Sequence, residues 1–112
     1  MKKIEAIIRE EKLDAVRMAL ENIGYFGITV SEVSGRGRQR GISFQWRVGE
    51  YRVDFLPKLK LEVFILDRDV PKTLNAIART ARTGEMGDGK IFVLPVDNAV
   101  RIRTGEDGDN AI

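Results

Sequence analysis

The clearest polarity pattern along the chain lies at residues 58–66 (KLKLEVFIL), where Leu59, Leu61, Val63 and Ile65 alternate with Lys58, Lys60 and Glu62. A period of two predicts a strand with one face buried and the other bearing charge. Residues 3–9 (KIEAIIR) read as a second, shorter strand. The period then changes. Leu13, Val16, Leu20 and Ile23 fall at helical spacing, and Gly24 stands where a glycine ends a helix in the left-handed conformation. Residues 25–34 (YFGITVSEVS) are rich in β-branched and aromatic side chains and predict a strand. A second helix begins around Asp69 as N-cap with Pro71 in its first turn, carries the stripe Val70, Leu74, Ile77 and Ala81, and ends near Gly84. Residues 90–96 (KIFVLPV) and 99–103 (AVRIR) read as further strands, and the tail at 104–112 as a frayed end.

Between the second and third strands, GRGRQRG at 35–41 cannot continue a packed strand, and the stretch to residue 55 shows no strong period. A long exposed loop over about 37–55 is expected, and loops of that length in compact domains usually carry function. The order is then β-α-β, long loop, β-α-β. That order predicts one α+β domain over residues 1–112, a ferredoxin-like double βαβ with both helices on one face of the sheet.

Composition narrows the chemistry by what it lacks. Apolar residues make up 43% and charged residues 32% of the 112, with a net charge of +2, as in an ordinary soluble domain. There is no Cys and no His. Thiol nucleophiles, thiolate metal sites, imidazole bases and His-based zinc sites are therefore excluded, and with them most hydrolase triads. No window approaches the roughly 20 apolar residues of a membrane span, and MKKIEAIIREEK has no leader-like apolar run, so the expected location is the cytoplasm. A domain this small buries only roughly 60–70% of its unfolded surface, so oligomerisation would favour its stability.

Three cationic elements can carry chemistry. Gly84 to Lys90 (GEMGDGK) fits the first seven positions of a P-loop, but Ile91 stands where Ser or Thr should hold magnesium. The segment also follows a helix and precedes a strand, the reverse of a P-loop. Its glycines can still offer backbone N–H groups to phosphate beside Lys90; the alternative is a tight helix-to-strand turn. Arg101 and Arg103, two apart on a predicted strand, would share a face and could clamp an anion, or simply guard an edge strand. Arg38 within GRGRQRG could face a compact anion or, as an RGG-like patch, RNA. In the loop, Phe44, Trp46 and Tyr51 accompany Arg47 and Glu50, residue types common at interface hot spots, which favours partner docking over packing on the domain itself or on a neighbouring subunit.

Several long stretches together resemble one family. MKKIEAII at 1–8, TVSEV at 29–33, Gly35 to Gly41, Glu50-Tyr51, VDFLPK at 53–58, TGEMGDGKIF at 83–92 and VRIRTGE at 100–106 are similar to the P-II signal-transduction proteins of nitrogen metabolism. The resemblance covers essentially the whole chain. It implies a homotrimer with nucleotide sites between neighbouring subunits, and a signal protein rather than an enzyme. By that resemblance Gly87, Asp88, Gly89 and Lys90 would hold the phosphates of ATP or ADP, Gly37 and Arg38 would close over them, and Arg101 and Arg103 would reach in from the next subunit. Thr29 and Phe64 would line the adenine pocket, Phe64 standing where the family usually has a smaller aliphatic residue. Gln39 would help ligate Mg²⁺, and Gln39, Gly41 and Lys58 would hold 2-oxoglutarate. Phe44, Trp46 and Arg47 would dock a partner, with an ammonium transporter first and glutamine synthetase or another nitrogen-pathway enzyme second; a transporter would recruit the protein to the membrane. Tyr51 stands at the family's uridylylation position. A slow nucleotide hydrolase and a nucleic-acid-binding ferredoxin-like domain are the alternative readings.

Overall fold

The computed structural model describes residues 1–36, 42–46, 49–53 and 55–112, with segments 42–46 and 49–53 as backbone alone. Strand β1 (Lys2–Ile8) leads through a short 3-10 turn into helix α1 (Leu13–Asn22). Strand β2 (Thr29–Gly35), a hairpin of β3 (Ile42–Trp46) and β4 (Gly49–Val53), and the long β5 (Leu56–Ile65) follow. Helix α2 (Val70–Ala81) and strand β6 (Lys90–Pro95) complete the elements. Four strands form one antiparallel sheet in the order β2-β5-β1-β6, and β3 pairs with β4 separately.

The alternation read from the sequence decides which side of the sheet is covered. Ile4, Ala6 and Ile8 of β1 and Leu59, Leu61, Val63 and Ile65 of β5 are buried. They form one cluster with Val16 and Leu20 of α1 and Ile77 and Ala81 of α2. Both helices thus lie on one face of the sheet, the arrangement of a ferredoxin-like α+β fold. Residues paired across neighbouring strands share a face. Glu5 is therefore on the uncovered face with Glu62 and Phe92, and Lys3 with Phe64 and Leu94. The like-charged pair Glu5 and Glu62 is neutralised there: Lys3 lies 3.6 and 3.4 Å from the two carboxylates, and Lys60 3.6 and 3.7 Å.

Helix α1 ends as its sequence predicts. Gly24 has φ +97°, and the N–H groups of Gly24 and Tyr25 return to the carbonyls of Glu21 and Leu20. At the other helix, Asp69 occupies the N-cap position but its carboxylate makes no capping bond. It accepts instead from the Tyr25 hydroxyl and pairs with Lys72 at 3.1 Å. Tyr25 in turn accepts the N–H of Leu66 at 3.1 Å. This explains why β2 starts at Thr29 and not at residue 25: Tyr25 is used to tie the end of α1 to the start of α2. Burial and the neighbouring carboxylate raise the Tyr25 phenol above its ordinary value, while the same hydrogen bond holds Asp69 below the usual carboxylate range.

Four other expectations are corrected. Helix α2 stops at Ala81, because Arg82 is already extended at φ −73°, ψ 133°. Within the expected loop at 37–55, the described backbone pairs as a hairpin, with Ile42 opposite Val53 and Trp46 opposite Gly49. Residues 99–103 are not a strand. Val100 makes an isolated bridge to Asp107, and residues 102–104 form a turn. There the chain folds back on itself through Gly105 (φ +75°), with Arg101 N–H donating to the Glu106 carbonyl at 2.8 Å. The tail is likewise fixed rather than frayed: Gly108 N–H donates to the Ala99 carbonyl and the Asn98 side chain, and Gly108–Ala111 forms a 3-10 turn.

Replacing Tyr25 by Phe removes the phenol bridge while keeping the ring. It is expected to cost about 1–2 kcal/mol in urea denaturation, with the sheet and helices unchanged by circular dichroism.

Candidate functional site

The loop joining α2 to β6 is placed by a close approach of backbone to backbone. A Cβ built on Gly89 would lie 1.7 Å from the carbonyl oxygen of Ile7, and Gly89 has φ +94°. Only glycine meets both conditions. Lys90 then enters β6 opposite Ile7. The loop therefore sits at the end of the uncovered sheet face where β1 and β2 finish and β5 begins.

A cleft of about 1000 Å³ opens there, walled by Val33 and Gly35 of β2, Lys58 and Lys60 of β5, and the loop from Glu85 to Lys90. That is the size range of small-molecule sites. A smaller groove of about 310 Å³ lies between Ile8 and the α2 residues Ile77 and Ala81, and is almost wholly apolar. Convergent polar and cationic groups are found in the larger cleft.

Within the loop, the carboxylate of Asp88 is the hub. Its Oδ1 accepts from Arg9 Nε at 3.1 Å and from the Thr83 hydroxyl, and its Oδ2 accepts the N–H groups of Thr83 and Gly84, both at 2.9 Å. These donors, the Thr83 hydroxyl foremost, hold its pKa far below the usual carboxylate range. Two carbonyls of the loop are also taken: Arg9 donates to Met86 O at 2.8 Å and Lys58 Nζ to Gly87 O at 2.7 Å. Burial, then the charge of Arg9, lowers the pKa of Lys58. By contrast, among the described residues the N–H groups of Gly87, Asp88 and Gly89 meet no acceptor. Positive φ at Gly84, Gly87 and Gly89 accompanies this run of uncommitted donors. Such a run, beside the exposed Lys90, is the geometry of an anion nest.

The structure thus brings Gly87, Asp88, Gly89, Lys90 and Lys58 together. Thr29 and Phe64 lie on the same face but further along it, Thr29 opposite Glu62 and Phe64 opposite Lys3. Arg101 and Arg103 are not side by side on a strand; they sit in the turn after β6, where Arg101 pairs with Glu106 at 3.2 Å. The strand-based reason for pairing them is lost with the strand. Gly37, Arg38, Gln39, Gly41 and Arg47 lie outside the described residues, as do the side chains of Phe44, Trp46 and Tyr51. Sequence reasoning missed Arg9 and Thr83. Thr83 immediately precedes the glycine run and could have been suspected as its local partner; Arg9 carries no local signal, since its partner is 79 residues away.

Two outcomes follow from this geometry. Gly89→Ala forces a side chain against Ile7 at positive φ and is expected to lower stability by about 1–3 kcal/mol, read as a reduced thermal midpoint. Asp88 has a folded pKa depressed from its ordinary 3.8. Its contribution is therefore complete above that value and is lost as pH falls through the lower, folded one. Asp88→Asn should flatten the acid limb of stability below pH 3.8, measured by urea midpoints at stepped pH.

Comparison with known proteins agrees with the architecture. The family described as Nitrogen regulatory protein P-II matches residues 1–106. The protein of that name from Azospirillum brasilense is 56% identical over 112 residues, all of both chains. That from Pasteurella multocida (strain Pm70) is 54% identical, again over the full length of both. Nitrogen regulatory protein P-II 2 of Methanothermobacter thermautotrophicus (strain ATCC 29096 / DSM 1053 / JCM 10044 / NBRC 100330 / Delta H) is 54% identical over 100% of this chain and 97% of its own. With identity of this order along its entire length, the chain belongs to the P-II nitrogen regulatory protein family.

Proposed function

We propose that the protein is a ligand-charged signal protein: it binds ATP or ADP at the glycine loop, takes up 2-oxoglutarate in the presence of Mg-ATP, and regulates partner proteins through the segment around its β3–β4 hairpin. The observation that carries this reading is the row of uncommitted N–H groups at Gly87, Asp88 and Gly89 beside Lys90, opening into a cleft of about 1000 Å³. Phosphate oxygens are what such a row suits. ATP has about four negative charges when fully ionised, and Lys90 with Arg38, Arg101 and Arg103 offers a matching number of cations. In this chain Arg101 and Arg103 lie beyond β6 and not in the cleft. A contribution from the neighbouring subunit of a homotrimer reconciles their position with that role.

The uncovered sheet face supports assembly. Phe64 is 41% and Phe92 51% exposed in the single chain, and both lie beside the neutralised Lys3–Glu5–Lys60–Glu62 group. Ile102, at the tip of the turn after β6, is fully exposed. Contiguous exposed apolar surface is a mark of an interaction site. Lys58, partly desolvated and next to Arg9, suits a carboxylate of 2-oxoglutarate. Among the described residues there is no group of three acidic side chains able to hold a metal alone. Mg²⁺ would therefore arrive with the triphosphate, with Gln39 as its protein ligand, and its chemistry is to let a dianion bind beside ATP without severe repulsion. An ammonium transporter is the leading partner, with glutamine synthetase or another nitrogen-pathway enzyme as the second.

Calorimetric titration tests the reading. ATP and ADP should each bind, and 2-oxoglutarate should bind only with ATP and Mg²⁺. Lys90→Ala should weaken ATP binding about tenfold or more while the assembly state in sedimentation is unchanged. Unchanged affinity would remove the phosphate site, and steady ATP turnover near or above about 1 s⁻¹ would make the protein an enzyme. Steeply salt-dependent RNA binding, unaffected by ATP, would point to nucleic acid instead.

A further inference from the structure

A carboxylate in the middle of a phosphate-binding loop should oppose the ligand. Asp88 is such a group, yet its oxygens are committed to the loop's own framework. Four donors reach them: Arg9 Nε, the Thr83 hydroxyl, and the N–H groups of Thr83 and Gly84. The Thr83 hydroxyl also accepts the N–H of Glu85 at 3.1 Å, so one side chain links both ends of the turn. Arg9, at the end of β1, then fastens the whole to the sheet by its second bond, to Met86 O at 2.8 Å. With the Met86 and Gly87 carbonyls drawn to Arg9 and Lys58, the intervening and following N–H groups are left for a ligand.

We infer that Asp88, Thr83 and Arg9 form a clasp that sets the glycine loop in its phosphate-binding shape before the nucleotide arrives. Asp88 is a positioning residue: its negative charge favours anion binding, because the order it imposes on the neighbouring N–H groups outweighs its direct repulsion. Preorganised donors lose little freedom when the ligand binds, which is where the gain in affinity arises. Asn at this position keeps the size but not the function. One of its two terminal atoms is an NH₂ group, and it would face either the Arg9 and Thr83 hydroxyl donors or the Thr83 and Gly84 N–H donors, so at least one side of the clasp opens. The inference rests on the nucleotide reading above.

The sign of the effect separates the two possibilities. If Asp88 acted only as a charge near the phosphates, Asp88→Asn would tighten ATP binding. The clasp requires the opposite. Calorimetric ATP titrations of the full chain, well below each variant's melting temperature, should show Asp88→Asn weakened about tenfold or more. Thr83→Val should be weakened similarly, whereas Thr83→Ser, which keeps the hydroxyl, should stay within about twofold. Asp88→Asn with equal or tighter ATP binding overturns the clasp, as does Thr83→Val indistinguishable from Thr83→Ser. Should Asp88→Asn fail to fold, the Thr83 pair decides alone. Absence of ATP binding by the unsubstituted protein is a separate failure: it removes the nucleotide reading, and the clasp with it.

Discussion

The fit of Gly89 against the Ile7 carbonyl fixes more of this molecule than any side-chain contact. With no room for a Cβ there, the loop lies directly on the end of β1. That one approach sets where β6 enters the sheet, opposite Ile7, and so places Lys90 at the mouth of the cleft. It also brings Asp88 within reach of Arg9, which stands just past the end of the same strand. The candidate site is thus built on an edge of the sheet, although its uncommitted N–H groups belong to a loop. A binding loop gains its precision from this kind of support.

The two faces of the sheet divide stability from function. The covered face is continuous aliphatic packing among β1, β5, α1 and α2. The other carries paired like charges, Glu5 against Glu62, made tolerable by Lys3 and Lys60, with aromatic rings beside them. Half-buried ion pairs contribute little net stability, so the aliphatic face, not this charged one, holds the chain together.

Much of this was legible in the sequence, and the failures have physical causes. The alternation at Leu59, Leu61, Val63 and Ile65 identified β5 because burial on one face forces that period. The stripe Val70, Leu74, Ile77 and Ala81 identified α2 for the equivalent helical reason, and both Ile77 and Ala81 are buried. ISFQW at 42–46 alternates as well, Ile42, Phe44 and Trp46 against Ser43 and Gln45, and it pairs as β3. Its short length beside the glycine- and arginine-rich run obscured the signal. AVRIR at 99–103 shows the converse: a strand-like alternation that the chain resolves by turning back at Gly105. Local pattern cannot distinguish a strand that finds a partner from one that does not.

The candidate site divides along the same line. Glycines and an adjacent Lys at 84–90 are a contiguous signal, readable because backbone conformation and charge are local requirements. What makes the loop a nest is not local. Arg9 and Lys58 come from distant strands to hold two carbonyls, and Asp88, read in sequence as a group facing the phosphates, spends its carboxylate on the protein. Its backbone N–H is the part that meets no acceptor among the described residues. Motif reading assigns a residue to a site; only the hydrogen-bond inventory determines whether it faces the ligand or supports the groups that do.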